Sequence, residues 1–165
     1  MKLRKLEDKD ANLMLEWMHD KDVVKYLSGN FMYKGITDCH EFIRNSLTDA
    51  TSLHLAIADD VDEYLGTVSL KHIDYDLHIA EFAITVRSKT MGKGIAAKAM
   101  KDILFMGQRE YGLENVYWCV NKNNTRAIRF YEKNKYTRIE EVPESILDNY
   151  EEAFRQELIW YRYSV

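Results

Sequence analysis

A loop that joins a predicted strand to a predicted helix carries the residue types that bind phosphate. It reads Met91-Gly92-Lys93-Gly94-Ile95-Ala96. Glycines let the backbone approach a ligand closely, and the first N–H groups of the following helix have no partner within that helix. The helix dipole is also positive at this end. The loop therefore predicts a site for a phosphate or pyrophosphate group.

Two common phosphate-binding loops fit this segment poorly. A Walker A loop needs Ser or Thr after its Gly-Lys pair, whereas Lys93 is followed by Gly94. A dinucleotide fingerprint is matched by Gly92, Gly94 and Ala97, but five residues separate Val86 from Gly92, and a mostly antiparallel meander comes first. A glycine-softened helix start that binds no ligand is a further alternative.

The loop and the strand before it together resemble the acetyl-CoA site of the GNAT superfamily of N-acetyltransferases. The strand reads Ala80-Glu81-Phe82-Ala83-Ile84-Thr85-Val86. The family signature, Arg/Gln-x-x-Gly-x-Gly/Ala, maps onto Met91, Gly94 and Ala96. Met91 departs from the usual Arg or Gln, but the backbone N–H groups of the loop do not depend on that side chain.

A second resemblance to the same family lies further along the chain. Asn124, Ala127 and Tyr131 match the family's Asn-x-x-Ala-x-x-x-Tyr helix. The family usually continues with Gly-Phe, where this chain has Lys135-Tyr136. The two motifs occur in the family's order and spacing, and the resemblance covers essentially the whole chain.

The resemblance implies a fold and an activity. The implied fold is the α/β (α+β) GNAT fold, a central, mostly antiparallel mixed sheet of six to seven strands flanked by helices, in a single domain over residues 1–165. The implied reaction transfers an acetyl group from acetyl-CoA to a primary amine by direct attack in a ternary complex. The acceptor is a small molecule or a protein N-terminus. A catalytically silent acetyl-CoA-binding regulatory module is the alternative.

The chain is most similar to the branch of the family that acetylates ribosomal protein N-termini, polyamines and nucleotide-linked amino sugars. The resemblance does not identify the acceptor, because pocket shape decides among amines.

The resemblance also implies roles for individual residues. A backbone N–H near Val86, where two strands splay apart, polarises the thioester carbonyl; Asn124 lies beside the pantetheine arm; and Tyr131 is the general acid. The implied acetyl-CoA-binding residues are Ile84, Val86, Met91, Gly92, Lys93, Gly94, Ile95, Ala96, Asn121, Asn124, Ala127 and Tyr131.

The acceptor side of the site is predicted from residue types. Glu81 shares a strand face with the small residues Ala83 and Thr85, and its carboxylate can act as a base or bind a cationic amine. Phe31 and Tyr33 lie in a glycine-flanked loop and are candidate acceptor contacts.

Composition excludes several other classes of protein. The 165 residues include 23 Lys and Arg against 27 Asp and Glu, a formal net charge of -4 that disfavours nucleic-acid binding. No stretch approaches the ~20 apolar residues that cross a bilayer. Cys39 and Cys119 form no disulfide or metal pattern, and the segment Met1–Asp10 has no secretory apolar region. We therefore expect a cytoplasmic protein with no metal and no membrane partner.

Hydrophobic periodicity predicts the elements that position these residues. An α-rich start, with a helix capped by Asp10, precedes three antiparallel strands and then a β–α–β–α–β–β order. The predicted strands are 1–6, 53–58, 64–73, 78–86, 115–120, 136–141 and 157–163, and the main helices start near 10, 21, 37, 95 and 124. The last strand, rich in Tyr and Trp, is predicted to pair across a homodimer.

Overall fold

A seven-stranded sheet runs through the computed structural model, which describes residues 1–165. Its strands are β1 (Lys2–Lys5), β2 (Leu53–Ala58), β3 (Tyr64–Asp74), β4 (Ile79–Val86), β5 (Asn115–Asn121), β6 (Thr137–Ile139) and β7 (Leu158–Ser164). The spatial order is β1-β2-β3-β4-β5-β7-β6. Only β4 and β5 are parallel; all other neighbours are antiparallel. The predicted mixed, mostly antiparallel sheet is confirmed.

Seven helices connect the strands. They are α1 (Ala11–Met18), α2 (Lys21–Val24), α3 (Ile36–Ser46), α4 (Ile95–Tyr111), α5 (Thr125–Lys133), α6 (Glu144–Leu147) and α7 (Glu152–Arg155). The short helices α6 and α7 lie between β6 and β7, where the sequence predicted no helix. None of the seven combines the length and the apolar character needed to cross a membrane.

Helices cover both faces of the sheet, and the alternation of side chains decides what each face contacts. On the face that we call the first face, Val68, Phe82 and Trp118 pack with the buried sides of α4 and α5. On the opposite, second face, α1 and α3 cover β2 and β3. The α6 residue Ile146 packs there against Trp160. The middle of the second face lies between these two groups of helices.

The acidic turns of the meander are closed by aspartate side chains, as is typical of Asx turns. Asp59 Oδ1 accepts hydrogen bonds from the N–H groups of Val61 and Glu63 between β2 and β3. Asp74 Oδ1 does the same for Asp76 and Leu77 at the end of β3. Each of these carboxylates therefore uses one oxygen within its own turn.

Two predictions about the chain are wrong. The Asp10 side chain does not cap α1; it is buried, accepts from the Glu7 N–H at 2.9 Å, and binds both terminal nitrogens of Arg4 at 2.8 Å. Strand β7 has no long free edge for pairing across a dimer, because β5 pairs along its whole length and β6 pairs with residues 160–162. A homodimer through another surface stays a prediction.

Lys135, which stands where the family has glycine, adopts a left-handed backbone with φ 62°. A side chain is disfavoured there, because its Cβ crowds the carbonyl oxygen. We expect Lys135→Gly to raise the free energy of unfolding by about 0.5–1 kcal/mol. Urea unfolding measures this change. The matched control is Arg129→Gly at an exposed position within α5, which we expect to lower stability by about 1 kcal/mol. A loss of stability in both variants would contradict the prediction.

Candidate active site

Strands β4 and β5 diverge after a short parallel ladder. They pair only through Ile79, Ala80 and Glu81. Residues 79–82 of β4 are buried, whereas residues 83–86 are half-exposed although β3 still pairs with them. The second half of β4 therefore forms one wall of an open cleft in the middle of the sheet, the splayed arrangement that the resemblance implied.

Backbone N–H groups of β4 point into this cleft. The Arg87 N–H donates to the Leu65 carbonyl at 2.9 Å, on the side of β3. Since N–H directions alternate along a strand, the N–H groups of Ile84 and Val86 point the other way, toward the missing neighbour. These two donors can bind a carbonyl oxygen that enters the cleft.

The glycine-bearing loop presents a row of unused donors at the start of α4. Gly92 and Gly94 have φ values of 79° and 75°, which glycine adopts without strain. None of the N–H groups of residues 92–97 donates a hydrogen bond within the chain. Such a cradle at a helix N-terminus fits the pyrophosphate of acetyl-CoA.

The positive charge beside the loop comes mainly from Lys93. Lys93 is exposed and forms no ion pair, whereas Lys89 binds Glu63 and Lys98 binds Asp102. Arg87 is buried, and its guanidinium binds the Glu16 carboxylate through two nitrogens at 2.9 Å. The Arg87–Glu16 ion pair therefore links α1 to the end of β4, and the guanidinium is not free to bind a ligand.

Two asparagines organise the start of α5. The Asn124 Oδ1 accepts from the Ala127 N–H at 3.2 Å and caps the helix. The Asn121 Oδ1 accepts from the Asn123 N–H at 2.9 Å and tightens the preceding turn. These contacts direct α5 across the first face, next to β5.

Tyr131 of α5 lies in an aromatic cluster on the first face. Its ring centroid is 5.5 Å from that of Trp118 and 5.1 Å from that of Tyr161. Its hydroxyl makes no hydrogen bond within the chain, yet it is not sealed from solvent, unlike the Tyr161 hydroxyl and the Trp118 indole N–H. Burial, helped by the nearby Cys119, raises the pKa of Tyr131. The phenol therefore carries a proton at neutral pH.

Glu81 lies on the second face, at the last paired position before the cleft. Its side chain is 2% exposed. One oxygen, Oε1, accepts a hydrogen bond from the Tyr150 hydroxyl, whereas Oε2 is buried without a partner. A buried carboxylate oxygen without a donor is costly unless a ligand supplies one. Oε2 therefore has room for a hydrogen-bond donor, and the Nε2 of His72 lies 3.7 Å from it.

Tyr150 is the site residue that the sequence analysis missed. It follows α6, and its ring packs edge-on against Trp160 at 5.3 Å. Burial raises the pKa of its hydroxyl, which therefore stays protonated as a donor. Pro143 at the start of α6 was a signal for the helix. Nothing local distinguished Tyr150 from the other tyrosines.

The predicted acceptor contacts Phe31 and Tyr33 lie between α2 and α3. Phe31 packs on Trp17 with ring centroids 5.3 Å apart. Tyr33 is 88% exposed and extends into solvent. Cys119 lies beside Tyr150, and burial raises the pKa of its thiol to about 11, so it is not poised as a nucleophile.

Comparison with known proteins agrees with this arrangement. The family model for the acetyltransferase (GNAT) domain matches residues 1–137. The spermidine N(1)-acetyltransferase of Escherichia coli K12 is 27% identical over 133 residues, which cover 81% of this chain and 70% of that protein. An uncharacterised N-acetyltransferase of Bacillus licheniformis is 24% identical over 155 residues, 92% of this chain and 84% of that one.

A similar fold occurs in a crystal structure of spermidine N-acetyltransferase from Vibrio cholerae in complex with CoA and spermine. The TM-score is 0.78 at 20% sequence identity, over 98% of this chain and 92% of that chain. Together with the family match, these features show that the chain belongs to the GNAT acetyltransferase family and is an enzyme that transfers an acetyl group from acetyl-CoA to an amine.

Proposed function

We propose that residues 1–165 act as one domain that acetylates the primary amine of a small molecule by direct attack. The observation that carries this proposal is the cleft between β4 and β5, with Tyr131 on one face of the sheet and the free Oε2 of Glu81 on the other. The relatives named as spermidine acetyltransferases support a small-molecule acceptor rather than a protein N-terminus.

In this proposal, backbone groups bind acetyl-CoA, the acetyl donor. Acetyl-CoA supplies the acetyl group as an activated thioester. The N–H groups of residues 92–97 bind its pyrophosphate, and the N–H groups of Ile84 and Val86 bind the thioester oxygen. The Met91 side chain is not required, because all of these hydrogen-bond donors are backbone N–H groups. Asn121, Asn124 and Ala127 form the neighbouring wall through the start of α5.

Two side chains move protons on opposite faces. Glu81 Oε2 takes a proton from the attacking amine as the new carbon–nitrogen bond forms, while Tyr150 holds Oε1 in place. The Tyr131 hydroxyl gives its proton to the departing sulfur, so that CoA leaves as a thiol. Orientation of the two reactants in the cleft supplies much of the remaining rate enhancement.

The phosphate cradle is tested by placing a negative charge in it. A Cβ added at Gly94 meets no atom within 4 Å, so a longer side chain fits there. We expect Gly94→Glu to weaken acetyl-CoA binding about 100-fold or more, because its carboxylate repels the pyrophosphate. Isothermal titration calorimetry measures the dissociation constant.

Gly94→Gln is the matched control for this variant. It imposes the same backbone strain at φ 75° without the charge. We expect it to bind at least about ten times more tightly than Gly94→Glu. Equal affinity of the two variants would contradict an anion site at this loop.

The role of Tyr131 is tested by removing its hydroxyl. We expect Tyr131→Phe to lower kcat about 100-fold and to change the acetyl-CoA dissociation constant by less than about twofold, because the proton transfer is lost while ring packing is kept. Release of the CoA thiol measures turnover. Tyr161→Phe, which removes a sealed and unpartnered hydroxyl from the same cluster, should leave kcat unchanged. Similar effects of the two variants would contradict the proposed acid.

A further inference from the structure

Basic side chains surround the one carboxylate that faces the acceptor. Lys71 lies directly opposite Glu81 across the β3–β4 ladder, and its Nζ is 3.8 Å from Oε1. His72 follows with a left-handed backbone, φ 51°, and its Nε2 is 3.7 Å from Oε2. Both side chains keep substantial exposure, 32% for Lys71 and 46% for His72. They can therefore contact a ligand that reaches Glu81.

A histidine of β2 also lies on this part of the second face. His54 of β2 pairs in register with Ser69, and its Nδ1 is 2.7 Å from the Ser69 hydroxyl. Burial lowers the pKa of His54; the nearby Asp49 carboxylate opposes this shift, and Lys71 and His72 add to it. His54 is therefore an uncharged hydrogen-bonding neighbour of Lys71 at neutral pH.

Two aspartates next to β2 and β3 each use one carboxylate oxygen within their own turns. Asp49 accepts from the N–H and the hydroxyl of Thr51, and Asp74 accepts from the N–H groups of Asp76 and Leu77. Glu81 itself gives Oε1 to Tyr150. Glu81 Oε2 therefore offers one acceptor for an ammonium group, and the ammonium of Lys71 and the imidazole of His72 lie beside that carboxylate.

This balance of charge selects among amines. A polyamine brings a second ammonium group within a few bonds of the first, and Lys71 would repel it. An amine with a nearby carboxylate or phosphate instead places opposite charges together, with its ammonium at Glu81 and its anion at Lys71 and His72.

We propose that the acceptor is a primary amine with an anionic group a few bonds away, and that Lys71 and His72 bind that group. This proposal rests on the proposed acetyl transfer at Glu81 and adds the chemical class of the acceptor. It separates this chain from its relatives named as spermidine acetyltransferases.

Matched pairs of amines test the proposal by CoA-thiol release. The phosphate arm compares 2-aminoethyl phosphate with 2-aminoethanol, and the carboxylate arm compares 4-aminobutanoate with 4-aminobutanamide. Spermidine and 1,4-diaminobutane form the polycation arm. We expect kcat/KM of the anionic member to exceed that of its neutral twin by about tenfold or more in at least one arm, with spermidine below both.

Lys71→Met identifies the residue responsible. It keeps the length of the side chain and removes its charge. We expect the ratio of kcat/KM for the anionic twin to kcat/KM for the neutral twin to fall to about twofold. Lys5→Met, at an exposed lysine of β1 without an ion pair, should leave both values unchanged.

The outcomes separate this proposal from the proposed function. If spermidine or the neutral twins react as well as the anionic amines, the acceptor class is overturned while acetyl transfer stands. A preference that persists in Lys71→Met overturns the role of Lys71. If the protein binds acetyl-CoA but acetylates none of these amines, the proposed function and this inference are overturned together.

Discussion

The divergence of β4 from β5 is the constraint on which the rest of the site depends. A parallel strand pair normally uses the backbone groups of both strands along its length. Here pairing stops at Glu81, and the N–H groups of Ile84 and Val86 lose their neighbour. Such donors are unfavourable in a closed core, so the structure is stable only because the gap opens to solvent or to a ligand. The cleft is therefore built from backbone groups that the sheet leaves unpaired.

The sheet also separates the two groups that are proposed to transfer protons. Tyr131 of α5 belongs to the aromatic cluster on the first face, and Glu81 belongs to the polar middle of the second face. A reaction in the gap between the strands can exchange protons with both, although neither side chain contacts the other. Burial on the first face keeps the phenol protonated, while the second face stays polar enough to admit an amine.

Local features of the chain could be predicted from sequence, whereas contacts between distant segments could not. Glycine spacing and the helix start at Ile95 are local, and the structure places unused N–H groups there. Hydrophobic periodicity does not say which strands are neighbours in the sheet. The gap beside Val86 could therefore be predicted only from the resemblance to the family. Tyr150 reaches Glu81 across 69 residues, and no local pattern encodes that contact. The position of β7 between β5 and β6 was missed for the same reason.

The segment between β6 and β7 touches the site in a limited way, through the hydroxyl of Tyr150 and the packing of its ring on Trp160. The glycine-bearing loop at residues 91–96, which is proposed to bind acetyl-CoA, lies with α5 on the other side of the cleft. Neither depends on that segment. In the proposed site, acceptor contacts and acetyl-CoA binding are thus encoded in separate stretches of chain. Over evolution, replacements in β3 or between β6 and β7 can then give a new acceptor to the same machinery without rebuilding the cradle at Gly92 and Gly94.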